Sequence, residues 1–221
     1  MDVTPNDGSR VYIVDDDDSF RTSLARVLRT AGFASTGYRS AGEYLLSEPV
    51  DAPSCIVLDL CMPGPSGLEL LDALALRESS PPVILVTAYG DVPASVHAIK
   101  SGAVDFLTKP VTSVRLLEAV RNALAIDKER RAARHEVREL RDRYTTLIPI
   151  ERAVFNGVVN GRLNKQMAGD LDTCERTVKA YRARVMSKLQ VRSLADLVRA
   201  AKVLGVAQSD SDDSAAHAAH H

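Results

Sequence analysis

Short apolar runs that alternate with helical patterns are the feature that most constrains the fold of residues 1–126. Four runs have the length and composition of buried strands: VYIVD (11–15), SCIVLD (54–59), PVILVT (82–87) and VDFLTK (104–109). A weaker candidate strand covers Phe33 to Tyr38, and each run precedes apolar residues at helical spacing. A repeated strand–helix unit requires right-handed crossovers, so the pattern predicts a doubly wound, five-stranded parallel sheet.

Charged and polar side chains follow the predicted strands at the points where they end. Asp15 and Asp16 follow the first strand, Asp59 the third, Thr87 the fourth and Lys109 the fifth. Parallel strand ends share one edge, where such sheets bind ligands. Two carboxylates about 4 Å apart repel by ~4 kcal/mol at an effective dielectric of ~20, so this cluster favours a hard divalent cation, Mg2+.

The same edge has the groups that phosphoryl transfer requires. Asp59 is the candidate nucleophile, and Thr87 and Lys109 offer a hydroxyl and an ammonium to phosphoryl oxygens. An aspartate after a strand more often caps a helix or forms a turn, which is our interpretation of Asp17, Asp18 and Asp91.

Four segments contain the residues at these strand ends: VDDD (14–17), VLDLCMPGPSGLEL (57–70), VTAYGD (86–91) and FLTKP (106–110). They resemble the signature segments of the receiver domains of two-component systems, which are flavodoxin-like, and the resemblance covers residues 10 to 126. It implies that Asp59 accepts a phosphoryl group from a sensor histidine kinase. It also implies that Asp16, Asp59 and the Cys61 carbonyl bind Mg2+ with help from Asp15, and that Lys109–Pro110 is a cis bond.

The receiver resemblance further implies a switch. Thr87 would turn toward the phosphoryl group and Phe106 would rotate inward behind it. Because Phe106 has no hydroxyl, burial of its ring, and not a hydrogen bond, would have to distinguish the phosphorylated receiver from the unphosphorylated one. The alternative, in which Phe106 is a static core residue, stays open.

The two ends of the chain differ in charge. Residues 1–125 have 10 Lys/Arg against 16 Asp/Glu, whereas residues 147–205 have 11 against 5. An acidic half joined to a basic half is expected if only the second meets a polyanion such as DNA. Between them, residues 127–146 are charged, and they predict a linker helix that is either a short coiled coil or a solvated spacer.

Four helical patterns follow Pro149, at about 149–160, 164–171, 174–189 and 193–205. The segment from Asn164, NKQMAGDLDTCERTVKAYRARVMSKLQ, resembles LuxR-type helix-turn-helix regulators of the FixJ subgroup. The resemblance covers residues 147–205 and places the helix after Thr173 in the major groove. The implied DNA contacts are Lys165, Arg176, Thr177, Lys179, Arg182 and Lys188.

The apolar side chains of the predicted groove helix are expected in the core, namely Val178, Val185, Met186 and Leu189. The chain has Ile148 where LuxR-type regulators commonly have a Thr cap, which should weaken the start of the first helix by roughly 1 kcal/mol.

Together these features predict a response regulator transcription factor. Its predicted parts are a receiver (1–126), a helical linker (127–146), an all-α helix-turn-helix domain (147–205) and a disordered tail (206–221). The expected partners are double-stranded promoter DNA, a sensor histidine kinase, RNA polymerase and, on phosphorylation, a second copy of the chain.

We expect a cytoplasmic protein without a membrane partner, because no apolar stretch approaches ~18 residues and the N-terminus lacks a hydrophobic signal core. The three cysteines are too far apart to suggest a zinc or redox centre.

Several alternatives remain at the level of sequence. Phosphorylation could pair receivers through the face formed by the fifth strand and the helices before and after it. It could instead release the recognition helix, the helix after Thr173, from a receiver that blocks it. The receiver chemistry could instead belong to a small phosphatase, although we find no general acid or substrate pocket for one. Finally, the basic domain could bind RNA or protein.

Overall fold

The computed structural model describes residues 8–48, 50–77, 79–88 and 99–206. The chain divides into two compact units, residues 1–132 and 133–221. Among the described helices, none combines the length and the apolar composition needed to cross a bilayer.

The first unit contains the predicted parallel sheet. Its elements are β1 Arg10–Val14, α1 Asp18–Thr30, β2 Ala34–Tyr38, α2 Ala41–Leu45, β3 Ser54–Asp59, α3 Gly67–Ala75, β4 Val83–Thr87, β5 Asp105–Thr108 and the beginning of α4, Ser113–Thr145. All the strand pairs are parallel and the order is β2-β1-β3-β4-β5. The doubly wound prediction is therefore confirmed, while Asp91 and most of the helical pattern after the run at 82–87 lie outside the described residues.

The sheet is buried on both faces, which explains why its central strands have almost continuous apolar sequences. Val11 and Ile13 of β1 pack with α1 and α4, whereas Tyr12 and Val14 point to the opposite face and pack with α2 and α3. All six side chains of β3 are buried, including that of Asp59 at its end. The polar strand ends are consequently held on a rigid support.

Helix α4 joins two segments that the sequence predicted as separate helices. It runs without interruption through the end of the receiver pattern and the charged segment after it. Asp127 is 1% exposed, and its carboxylate accepts hydrogen bonds from the Ser54 backbone N–H and Arg131 Nε, both at 2.8 Å. This buried contact fixes α4 to the beginning of β3.

The second unit contains four short helices after the end of α4. They are α5 Pro149–Val159, α6 Asn164–Asp170, α7 Glu175–Lys188 and α8 Leu194–Leu204, within about a residue of the predicted patterns. Their core includes Phe155, Met167, Val178, Val185 and Leu197. Met186, which was expected in the core, is only half buried.

Candidate functional site

Three carboxylates come together at the carboxyl edge of the sheet. Asp15 follows β1 and is 1% exposed, Asp59 ends β3 and is 6% exposed, and Asp16 is exposed to solvent. One carboxylate oxygen from each residue lies within 4.8 Å of the other two. Such a group of oxygens has the composition that a hard divalent cation prefers.

The ammonium of Lys109 lies between two of these carboxylates. Lys109 follows β5, and its Nζ is 2.9 Å from Asp15 Oδ2 and 3.0 Å from Asp59 Oδ2. The same Nζ lies 4.1 Å from the centre of the Phe20 ring. The Lys109–Pro110 bond is cis, as the receiver resemblance implied.

Thr87 completes the predicted set. It is fully buried at the end of β4, and its carbonyl accepts a 2.7 Å hydrogen bond from the Lys109 backbone N–H. The structure thus brings the predicted residues of four strands to one edge of the sheet.

The end of β3 is also in close contact with the beginning of α3. Asp59 Oδ1 accepts a 3.3 Å hydrogen bond from the Cys61 N–H, and the Gly67 N–H donates to the Leu60 carbonyl at 3.1 Å. A Cβ on Gly67 would collide with the carbonyl oxygen of Asp59 and lie 2.9 Å from Leu60 Cα. Glycine at 67 therefore allows α3 to begin directly beside Asp59.

Burial and the neighbouring charges shift the pKa values of Asp15 and Lys109. Burial raises the pKa of Asp15, although hydrogen bonds from Lys109 and from the Asp17 N–H act in the opposite direction. Burial alone would lower the pKa of Lys109, but its hydrogen bonds to Asp15 and Asp59 outweigh this and raise it. The protein thus keeps a charged ammonium among carboxylates.

Two further residues, Asp17 and Arg21, lie near the cluster. Sequence analysis predicted a role for the first and none for the second. Asp17 caps α1 as predicted, because its Oδ1 accepts from the Ser19 N–H at 2.8 Å and the Phe20 N–H at 3.1 Å. Arg21 was missed. Its Nη1 lies 2.5 Å from the Asp15 carbonyl oxygen and its guanidinium also pairs with Asp18. No sequence pattern indicates this contact, because Asp15 lies before the first residue of α1.

Phe106 is half buried and packs against the core on the α2 and α3 face, with Leu85 as its register partner in β4. The predicted inward rotation of this ring stays a prediction.

The second unit has the predicted basic helix, α7, preceded by α6 and a tight turn. Arg176 and Lys179 are exposed on α7 and Lys165 is exposed at the second position of α6. Thr177 and Arg182 are half buried. The turn includes Asp172, whose positive φ of 46° reverses the chain between the two helices.

Two predicted DNA contacts also have partners within the second unit. Thr177 Oγ1 lies 3.2 Å from the sulfur of Cys174, which is the N-cap residue of α7. Lys188 Nζ donates to Glu151 Oε2 at 2.6 Å and to the Thr146 carbonyl at 3.1 Å. Sequence reasoning missed this ion pair because the two residues are 37 positions apart.

The beginning of α5 shows the expected consequence of Ile148. Ile148 provides no side-chain cap, but Glu151 Oε2 accepts a 3.1 Å hydrogen bond from the Ile148 N–H. Half of the usual reciprocal cap is therefore retained.

The sheet with its acidic edge and the helical unit with its basic helix correspond to two known protein families. Residues 11–121 match the response regulator receiver domain, and residues 146–201 match the bacterial regulatory proteins of the luxR family. These matches define a signal-receiving domain joined to a DNA-binding domain, with a histidine kinase and DNA as the implied partners.

The chain belongs to the response regulators of two-component systems that regulate transcription. It is 43% identical to Nodulation protein W of Bradyrhizobium diazoefficiens over 204 residues, covering 92% of this chain and 90% of the relative. It is 44% identical to transcriptional regulatory protein FixJ of Azorhizobium caulinodans over 201 residues, covering 90% and 95%.

A solved structure supports the same relationship. The low-resolution structure of response regulator StyR matches 88% of this chain and 98% of its own, with 39% identity and a TM-score of 0.77. The predicted fold class and family are thus confirmed.

Proposed function

We propose that Asp59 accepts a phosphoryl group from a sensor histidine kinase and that this controls binding of the second unit to promoter DNA. The observation that carries the proposal is the hydrogen bonding of Lys109 to both Asp15 and Asp59, at the sheet edge where Thr87 is also buried. These hydrogen bonds support the proposal, because they keep a positive charge beside the carboxylate that would act as the nucleophile.

The acidic cluster fits Mg2+. Asp15, Asp16 and Asp59 offer three carboxylates within 4.8 Å, and Lys109 adds one positive charge beside them. Asp16, Asp59 and the carbonyl of Cys61 would hold the ion with help from Asp15. When bound, Mg2+ would supply charge stabilisation to a phosphoryl oxygen.

The residues of the chain would share the remaining chemistry of the transfer. An oxygen of Asp59 attacks phosphorus, and an O–P bond forms as the P–N bond to the kinase histidine breaks. The ammonium of Lys109 and the hydroxyl of Thr87 donate hydrogen bonds to two phosphoryl oxygens, so the charge of the transition state is distributed. The reaction is therefore self-catalysed phosphotransfer.

The proposed response starts with Thr87 and Phe106. Thr87 moves to bond the phosphoryl group, and the Phe106 ring rotates inward to a more buried position. This change either pairs two receivers or releases the recognition helix, and either route requires a two-state element that phosphorylation biases by a few kcal/mol.

The proposed parts of the chain are those predicted from sequence: receiver 1–126, linker 127–146, DNA-binding domain 147–205 and tail 206–221. The proposed DNA contacts are Lys165, Arg176, Thr177, Lys179, Arg182 and Lys188. Exposure of Arg176 and Lys179 on α7 supports their assignment to a groove. RNA polymerase is the expected further partner at a promoter.

The test of the phosphorylation site is mass spectrometry after incubation with acetyl phosphate and Mg2+. The full chain should gain one phosphoryl group as acetate is released, and Asp59→Asn should gain none. Asp72→Asn is the matched control, because Asp72 is an exposed aspartate of α3. Phosphorylation of Asp59→Asn equal to that of the full chain would refute the assignment, and sustained turnover of a generic phosphate ester would favour a phosphatase.

A further inference from the structure

The peptide groups on both sides of Asp16 are held in place. The Asp15 carbonyl, in the peptide before Asp16, accepts from Arg21 Nη1 at 2.5 Å. The Asp17 N–H, in the peptide after it, donates to Asp15 Oδ1 at 2.8 Å. The side chain of Asp16 is exposed, and the backbone on both sides of it sets the direction of its Cα–Cβ bond.

Arg21 reaches this peptide from the first turns of α1. Its side chain is 12% exposed, and its guanidinium also pairs with Asp18. Burying a guanidinium costs free energy unless its donors are used. Both Asp18 and the Asp15 carbonyl use them here, and the second contact lies directly at the acidic cluster.

The strand beside α1 leaves room for the Arg21 side chain. Gly37 of β2 faces it, and a Cβ at position 37 would lie 3.0 Å from Arg21 Cδ and 3.2 Å from Arg21 Cγ. The absence of a side chain at position 37 therefore leaves the space that the stem of Arg21 occupies.

From this geometry we propose that Arg21 is a positioning residue for the magnesium site. It fixes the peptide between Asp15 and Asp16, and thereby directs the Asp16 carboxylate toward Asp59, while Gly37 provides the space that this requires. The inference rests on the proposed function, because it assigns a role within the same site. It concerns how tightly the site holds the ion and adds no step to the transfer.

The test compares Arg21→Met with Arg26→Met in the full-length protein. Met retains most of the stem of Arg21 and removes its donors, and Arg26 is an exposed arginine of the same helix, so both variants lose the same charge. Isothermal titration calorimetry should show roughly tenfold weaker Mg2+ binding for Arg21→Met, as is typical when support for a metal ligand is lost. Arg26→Met should bind Mg2+ as the unaltered chain does.

A kinetic readout separates positioning from general stability. In phosphorylation by acetyl phosphate, the Mg2+ concentration that gives half the maximal rate should rise in Arg21→Met by the same factor as the dissociation constant. The rate at saturating Mg2+ should change much less. Wild-type Mg2+ affinity in folded Arg21→Met would overturn the inference.

A second variant reaches the same contact without changing charge. Gly37→Val should displace the Arg21 side chain and weaken Mg2+ binding, whereas Ser35→Val, on the same face of β2, should not. If Gly37 acts through Arg21, the double variant should bind Mg2+ no more weakly than Arg21→Met alone. Unchanged affinity in Gly37→Val would contradict the inference even if Arg21→Met did not fold.

The experiment also separates this inference from the proposed function. If the unaltered chain neither bound Mg2+ nor took a phosphoryl group, the proposed function would fail. If the unaltered chain did both and Arg21→Met matched it, only the role of Arg21 would fail.

Discussion

The ion pair of Lys188 and Glu151 links the end of the basic helix to the beginning of α5. Glu151 is 2% exposed, and its carboxylate accepts from Lys188 Nζ and from the Ile148 N–H. The hydrogen bond from Lys188 is the main reason that the pKa of Glu151 is lowered, and burial acts against it. Any contact of Lys188 with a DNA phosphate would therefore compete with Glu151 for the same ammonium.

Replacing Lys188 by Met should destabilise the DNA-binding unit at neutral pH. The change leaves a buried carboxylate without its cation, and because Lys188 is itself 36% exposed we expect a loss of only about 1–2 kcal/mol. Urea unfolding of the full chain, followed by NMR signals of residues 149–204, measures it. Lys202→Met, at an exposed position of α8, is the control.

The same variant has a defined pH dependence. A carboxyl whose folded pKa is lowered stabilises the fold above its ordinary value, 4.5 for Glu151, and this stabilisation is lost as the pH falls through the folded pKa. The difference between the unaltered chain and Lys188→Met should therefore be full at pH 7 and disappear below the folded pKa. A difference that stayed constant into acid would exclude the ion pair as its cause.

The beginning of helix α3 determines how closely that element approaches Asp59. Ser66 and Glu69 form a reciprocal cap, in which Glu69 accepts from the Ser66 N–H at 2.7 Å and Ser66 Oγ accepts from the Glu69 N–H at 3.3 Å. The cap fixes the first turn, and Gly67 within it faces the backbone of Asp59 and Leu60. Helix α3 thus packs directly against the backbone of the proposed phosphorylation site.

Gly67→Ala should therefore destabilise the fold, although alanine has a higher helix propensity than glycine. Its Cβ would meet backbone atoms that cannot move aside, so we expect a loss of about 1–3 kcal/mol in unfolding free energy and slower phosphorylation by acetyl phosphate. Gly42→Ala is the control, because the nearest atom to its Cβ is Ser40 Oγ at 3.9 Å and alanine favours a helix. Equal stability of Gly67→Ala and the unaltered chain would show that α3 can shift freely.

Most of the described elements were predictable from sequence, although the last receiver helix and the linker form one helix, α4. The contacts between elements were not predictable. Continuous apolar runs identified the buried strands, and strand ends in the correct order identified the acidic edge. Asp127 lies in a charged segment that predicts a linker helix, yet it is buried. One of its partners is the Ser54 N–H, 73 positions away. Periodicity contains no record of such a distant partner, and the same limit applies to Lys188 and Glu151, which are 37 positions apart.

The whole molecule separates signal reception from DNA recognition by charge as well as by fold. The acidic excess lies in residues 1–125, and the basic excess lies in residues 147–205. DNA therefore has an electrostatic attraction to one unit only. In the proposed function, a phosphoryl group on the other unit would act by shifting a conformational or oligomeric equilibrium, and pairing of two DNA-binding units would raise affinity by effective concentration.

The most direct test of this coupling is the DNA affinity of the full chain with and without acetyl phosphate. A duplex enriched from random double-stranded DNA provides the ligand, and fluorescence anisotropy at fixed salt and Mg2+ provides the dissociation constant. We predict that the donor tightens binding by the unaltered chain and that Asp59→Asn binds the same duplex without responding. Equal tightening of Asp59→Asn, or failure of any duplex to be enriched, would contradict the account.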